Sequence, residues 1–510
     1  MSEKPAWHYS WWQRQPVDVR DWPVLLNATS QLFVDDHLIA GKENIGRQFH
    51  EAERHDRNPV LAPEHPWEGT ACMAHGTVVQ EPSGRLRMYY TGYVGGMPFE
   101  DPLANPLCLH CVAYSGDGLH WEKPGLGLYP YQGRTDTNMV LPCRPEVTRY
   151  DQMSVIYDAR DPDPTRRWKM GVKHSGKGLF VNDPADPRHA LIGPGPYEGA
   201  GYYAYFSEDG LRWRQHPEPI MTDGWSLRRE EWPLRGVAEN QSVMFDSVRN
   251  KFVAFVRIWD CRTGQPGVWR ARAICESDDF IHWTTPRVLF LPLEDDEPGL
   301  QFYSSNGWNY ESMYLGLLRC YRFGSTHQVY FQLVSSRDGI HWERAADRQP
   351  FIPNGSQGAV DGGYHSDFSN PPIRMGDELW FYYGSTQFGK NVRPYIGGIC
   401  LAKLRVDGFA SMEGGVRTGS LVTRPLDFSG KTVTINVAPR TGGSVVVEAL
   451  DRHGGAIAGF GSQDALPVTG DGISVSVRWR DHADLAALQG DFMRTKFYLT
   501  NAGLYSFAIR

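Results

Sequence analysis

Two strand-like segments of this chain each carry a carboxylate five residues ahead of an apolar residue. "YDQMSVIYD" sets Asp151 before Ile156, and "AENQSVMFD" sets Glu239 before Met244. Two carboxyls at one register on separate strands suit acid–base chemistry, one giving up a proton while the other accepts one or attacks. Other acids are more conspicuous but carry less. Asp117, Asp209, Asp279 and Asp338 each lie in an S-x-D-x-x-x-W motif, where Ser and Asp bond nearby backbone N–H groups and fix a tight turn. They are read as turn formers and set aside. The "RDP" of Arg160 to Pro162 is read the same way, from its Asp-Pro-Asp-Pro setting.

The elements that must position Asp151 and Glu239 follow from that motif. It reads "SGDGLHW" from Ser115, "SEDGLRW" from Ser207, "SDDFIHW" from Ser277 and "SRDGIHW" from Ser336. A degenerate copy, "LRVDGF", keeps Asp407 and Gly408. Each copy follows a strand-like run, and each unit opens on a hairpin pattern such as "GTVVQEPSGRLRMYYTG" or "QSVMFDSVRNKFVAFVR". Repeats of this kind, punctuated by Gly, Asp and Pro, predict four-stranded blades, here five of them. The closing Trp121, Trp213, Trp283 and Trp342 are expected to pack on neighbouring blades. After about residue 415 the motif stops, and short strands such as "GSVVVEALD" and "TKFYLTN" predict a β-sandwich. The expected class is all-β: an N-terminal extension over 1–30, a five-bladed β-propeller over 31–415 and a β-sandwich over 416–510.

Composition narrows the function. The chain has 510 residues and a net charge of −7, which argues against sequence-independent nucleic-acid binding. It is rich in aromatics, with 17 Trp, 24 Tyr and 23 Phe. Most serve the sheets, and some can stack on the apolar faces of sugar rings. The eight cysteines are scattered. Cys108 and Cys111 form a lone CxxC inside a strand pattern, so buried thiols are expected rather than a zinc or redox site. No metal-ligand spacing is visible, and neither a metal nor another cofactor is expected. No secretory signal or bilayer-length apolar run appears, so no membrane partner and a cytoplasmic location are expected. Self-association into a homo-oligomer is left open.

A five-bladed propeller followed by a sandwich resembles glycoside hydrolase families 32 and 68, and the propeller is shared with families 43, 62, 117 and 130. The tail "GSVVVEALDRHGGAIAGF … FMRTKFYLTNAGLYSFAIR" resembles the family 32 sandwich. The resemblance implies three acids at the starts of successive inner strands, ringing a central funnel. One carboxyl protonates the leaving oxygen, another attacks the sugar or activates water, and the third orients the ring or stabilises positive charge. Asp151 and Glu239 match the second and third of these positions, with Glu239 as general acid, its pKa raised by burial among aromatics. The chain departs from the pattern in its first unit, where "TACMAHGTVV" offers His75 and the "WMNDPNG" motif is absent. Replacements are His365 and Asp367 in "DGGYHSDFSNPPI", since family 117 propellers use a histidine as acid. Asp35 and Asp36 are another source. Trp67, Glu68, Arg257 and Trp308 are expected sugar contacts, along with His75.

The leading expectation is therefore a glycoside hydrolase or transglycosylase acting on a furanoside or small oligosaccharide. Two alternatives stand beside it. One is a phosphorylase that holds phosphate on Arg149 and Arg235, and the other is a non-catalytic carbohydrate-binding propeller. Dependence of turnover on phosphate separates the first alternative from hydrolysis. Sugar binding without product identifies the second.

Overall fold

The computed structural model describes residues 19–94, 107–141, 150–174, 201–221, 238–260, 269–368, 371–390, 392 and 395–510. It is an all-β chain of two compact units, one spanning Glu51–Val406 and the other made of the residues up to His50 together with Asp407–Arg510. Among the described residues no helix is long and apolar enough to cross a membrane.

Within Glu51–Val406 the strands form five antiparallel groups in sequence order. The first has Ala71–Met73 and Val78–Gln80 against Leu86–Val94, which pairs Leu107–Ser115. The second and third are complete four-stranded sheets. One runs from Tyr150–Tyr157 through Trp168–His174 and Gly201–Ser207 to Arg214–Gln215. The other runs from Ala238–Asp246 through Lys251–Asp260 and Trp269–Ser277 to Arg287–Phe290. The fourth is built on Leu300–Ser305, Met313–Arg322 and Val329–Ser336. The fifth is built on Tyr364–Phe368, Glu378–Thr386 and Gly397–Arg405. Its outermost partner comes from the other end of the unit: Glu53–Arg54 pairs with Gly397–Arg405, Arg54 opposite Ala402.

The apolar cores lie between consecutive groups. Tyr89, Val112, Met153, Trp168 and Met170 join the first to the second, and Tyr202, Ala204, Val243 and Ala254 join the second to the third. Phe255, Phe302 and Leu318 join the third to the fourth. Tyr90, Leu109, Trp380 and Ile399 join the fifth to the first. The repeated motif serves this packing. In the first copy, Ser115 Oγ accepts from Gly118 N at 2.7 Å, and Asp117 Oδ1 accepts from the Leu119 and His120 amides at 2.8 Å. The other three copies repeat these bonds. The turn is pressed against the preceding group. Tyr382 donates to Gly118 O at 2.9 Å, and a Cβ on Gly118, whose φ is +76°, would sit 2.5 Å from the Tyr382 hydroxyl. Trp121, Trp213 and Trp342 contact Tyr382, Tyr89 and Phe255 edge-on in the preceding group, counting the fifth as preceding the first. Asp161 lies in a turn after its inner strand and holds Lys169 at 2.6 Å, so the "RDP" segment is structural.

The second unit is organised by two long strands, Val433–Asp451 and Met493–Ile509, paired along most of their length. Ile39–Glu43 pairs Gly419–Thr423, and Ile45–Phe49 pairs Ala410–Gly414. Residues 31–50, expected to belong with the repeats, therefore join the C-terminal strands. Phe33 shows why, because it packs against Phe497 and Phe507 in that unit's core. Asp35 and Asp36 go with them, and Arg47 donates to Asp36. Cys108 and Cys111 sit buried and unbridged in a strand; Cys143 and Cys261 lie outside the described residues.

Pairing of Glu53–Arg54 with the fifth group is anchored by Arg54, whose guanidinium lies 3.1 Å from the buried Asp361 carboxylate. The Tyr383 hydroxyl donates to the same carboxylate at 3.0 Å. Arg54→Ala leaves Asp361 without its cation and is expected to lower stability by about 2 kcal/mol, after allowing for the partial exposure of Arg54. Urea denaturation measures this, and an unchanged midpoint would mean the strand contributes nothing to holding the unit together.

Candidate active site

Every inner strand of the five groups breaks register near one level. In the first group, pairing stops after Met73 and resumes at Val78. In the others the register shifts between Asp151 and Met153, Ala238 and Ser242, Phe302 and Ser304, and His365 and Phe368. Irregularities of this kind re-aim side chains out of the regular alternation. Opposite these breaks the second strands present Thr91, Lys173, Arg257, Arg319 and Ser385, all completely buried. Three consecutive groups thus carry a buried cation beside the break.

The breaks surround a small cavity. Its walls draw on all five groups, with His75 and Thr77 from the first, Ser154 from the second, Ser242 from the third, Ser304 from the fourth and Asp367 from the fifth. At its centre Asp367 Oδ1 accepts from Arg319 at 2.6 Å and from the Ser304 hydroxyl at 2.7 Å, and Oδ2 lies 3.2 Å from His75 Nε2. Arg319 also donates to the Ser366 carbonyl. Burial pushes the Asp367 carboxyl up, but Arg319, His75, the Ser304 hydroxyl and Arg272 outweigh it and hold the group below its ordinary value. Asp367 is therefore a carboxylate at neutral pH, suited to attack, to accept a proton or to stabilise developing positive charge. It is unsuited to donate a proton.

Other expected residues have other surroundings. His365 lies two positions from Asp367, but the register shift separates them. Its Nδ1 is 2.9 Å from Ser385 Oγ and its Nε2 is 3.2 Å from the Pro353 carbonyl, and the ring stacks on Phe331. Burial lowers its pKa to about 4, so it is a neutral core imidazole near pH 7. Trp67 is fully buried, with Nε1 donating to Asn138 at 2.7 Å. Glu68 is also fully buried and accepts from the Glu64 and His65 amides, from Tyr90 and from Lys123. Both organise the first group's core. Trp308 packs against Phe368 and Phe381 behind the cavity wall. Arg257 faces the Tyr303 ring, its guanidinium carbon 5.7 Å from the centroid. Asp151 and Glu239 occupy strand positions at the register breaks of their groups, Asp151 opposite Lys173. Their side chains, with Arg149 and Arg235, lie outside the described residues.

The residues that motif reading missed are Arg319, Ser304 and Arg272. Arg272 is buried and donates to Ser305 Oγ and to the Tyr303 and Phe255 carbonyls. A signal was present in "KFVAFVR" and "MYLGLLR", where a lone cation ends an apolar run at the same place in successive repeats. A second cluster touches the site through His75. Burial, with His75 and His174 nearby, lowers His110 to about 3, and Thr91 Oγ1 lies 3.0 Å from its Nδ1. No group of three or more His, Cys, Asp or Glu that could hold a metal occurs among the described residues.

No family model matches the chain, and no curated protein matches it. Solved structures do resemble it. A glycoside hydrolase is 13% identical over 70% of this chain and 92% of its own, with a TM-score of 0.49. A glycosyl hydrolase from Bacteroides ovatus is 13% identical over 71% and 96%, with a TM-score of 0.46. An N-acetylgalactosamine deacetylase from F. plautii, in complex with blood group B trisaccharide, is 18% identical over 72% and 96%, with a TM-score of 0.41.

The Asp367–Arg319 pair predicts an acid limb in stability. A carboxyl whose folded pKa is depressed contributes stability above its ordinary value of 3.8, and loses it as pH falls through the lower folded value. Asp367→Asn leaves Arg319 buried without its carboxylate and is expected to cost about 3 kcal/mol at pH 7. The gap between wild type and variant should close below pH 3.8 in urea titrations at stepped pH. A gap that persists unchanged there would show that the pair is not what Asp367 contributes.

Proposed function

We propose that residues 51–406 form a five-bladed β-propeller whose axis carries a glycosidase site, and that the chain cleaves O-glycosidic bonds in a furanoside or small oligosaccharide. The observation that carries this reading is the convergence of five inner strands on one cavity around an ionised, partly buried carboxylate, Asp367. Four-stranded groups in series, cores between each neighbouring pair, Tyr303, Tyr321 and Tyr364 joining the fourth to the fifth, and a last strand supplied from before the first group support the propeller. The long paired strands of the second unit support the sandwich.

The roles follow from charge. Glycoside cleavage needs one carboxyl protonated and one ionised, with an oxocarbenium-like charge between them. Asp367, held ionised by Arg319, takes the charge-stabilising or ring-orienting role that the missing first-unit acid leaves vacant. His75, 3.2 Å away, orients it. Glu239 is then the general acid and Asp151 the nucleophile or base, each at the register break of its inner strand. Transfer of the glycosyl group to a second sugar instead of water uses the same residues.

Product analysis on fructosides, arabinosides, galactosides and mannosides, with and without phosphate, tests the reading. Wild type should release one sugar without phosphate. Glu239→Gln should lower that release by roughly 10²–10⁴-fold, the usual contribution of a positioned general acid. Full activity of Glu239→Gln would remove Glu239 from the mechanism, and saturable sugar binding without product would replace the enzyme with a binding propeller.

A further inference from the structure

The cations around the cavity are not evenly spread. Arg257, Arg272 and Arg319 lie close enough for Arg257 and Arg319, after burial itself, to push the Arg272 pKa down. Their common neighbour is Tyr303, on the fourth inner strand. Its ring has the guanidinium carbons of Arg319 at 4.7 Å, Arg270 at 4.8 Å and Arg257 at 5.7 Å from its centroid, and Lys390 Nζ at 4.7 Å. Lys390 also lies 5.3 Å from the Tyr364 centroid. Four cations thus address one phenol ring. The cation–π attraction of one ring, about 0.5–2 kcal/mol, is shared among charges that repel one another within a Debye length, about 8 Å at physiological salt.

The four differ in accessibility. Arg257 and Arg319 are fully buried, whereas Arg270 and Lys390 are only partly so. Arg319 links the cluster to the site, since the guanidinium over Tyr303 also bonds Asp367 at 2.6 Å. Whatever binds between Arg270 and Lys390 therefore lies beside the group that carries the reaction.

We propose that this corner binds a compact oxyanion, with Lys390 and Arg270 as its accessible donors over the Tyr303 and Tyr364 rings. The ligand chemistry is a carboxylate or phosphate. On the glycosidase reading, on which the assignment of substrate rests, the anion is the carboxylate of a uronic acid residue in the glycan. Inorganic phosphate is the other source of the same chemistry. Charge-assisted hydrogen bonds from an ammonium and a guanidinium supply affinity for either.

The test is calorimetric titration of the full chain with glucuronate, galacturonate, inorganic phosphate and, as neutral controls, glucose and galactose. Uronates should bind and neutral sugars should not, with affinity falling as salt rises. Lys390→Met and Arg270→Met should each weaken uronate binding about tenfold, while Lys390→Arg should largely restore it. Phosphate binding without uronate binding upholds the oxyanion corner and makes phosphate the source, which turns cleavage into phosphorolysis. Absence of binding by either anion overturns the proposal. So does anion binding indifferent to both substitutions, which is the result expected if carboxylates of the chain itself neutralise the cluster. The two readings fail separately. Full turnover of a neutral glycoside without anion binding removes only the oxyanion corner. Anion binding without turnover of any glycoside removes only the enzyme.

Discussion

The contact on which the site depends is the pair between Arg319 and Asp367. It joins the second strand of the fourth group to the inner strand of the fifth, at the level where both inner strands leave regular pairing. A guanidinium with no exposed surface costs several kcal/mol to desolvate, so its position is tolerable only with a carboxylate and well-placed acceptors. Asp367 and the Ser366 carbonyl supply these from one bulge. The bulge is thus needed twice, to turn Asp367 toward the cavity and to bring the Ser366 carbonyl to Arg319. A regular strand would place neighbouring residues on opposite faces and could offer only one of them.

That arrangement needs five groups to meet at one place, which is the work of the repeated turn. Each turn satisfies its own amides through Ser and Asp, and two of them present a glycine carbonyl to the neighbouring group. Tyr89 reaches Gly210 and Tyr382 reaches Gly118, each at 2.9 Å. The third copy has Phe280 where the others have glycine, with φ +69°. There the ring fills the interface with Phe206 and Phe252 directly. The acids of the motif are held below their ordinary carboxylate range by these turn bonds, and none of the four lines the cavity.

Much of this is legible in the residues. The motif marks the units, its acids read as the turn formers they are, and His75 and Asp367 stand out at inner-strand starts that meet in the cavity. The failures share a cause. Trp67, Glu68 and Trp308 read as ligand contacts because large aromatics and acids near a rim suggest recognition. Nothing local in "HPWEGT" shows that Glu68 is enclosed by two amides, Tyr90 and Lys123, since Lys123 lies 55 residues away. Residues 31–50 carry no sign that their partners stand beyond residue 409. His365 and Asp367 look equivalent until a bulge separates them. Long-range pairing and a one-residue register shift are what a period-two pattern cannot report.

The charge on Asp367 constrains every other assignment. With Asp367 fixed as a carboxylate, proton donation has to come from a group whose surroundings keep it protonated. His365 and His110 are neutral, but their burial lowers the pKa to about 4 and about 3, so each lacks the proton it would have to give. His75 lies 3.2 Å from the Asp367 oxygen. A carboxylic acid raised by burial is the class of donor that the proposed mechanism uses. The register break at 238–242 is where the proposed donor, Glu239, stands on its strand. The cations beside the breaks of the second, third and fourth groups bias the cavity toward carboxylates, and that bias is what a general acid has to overcome.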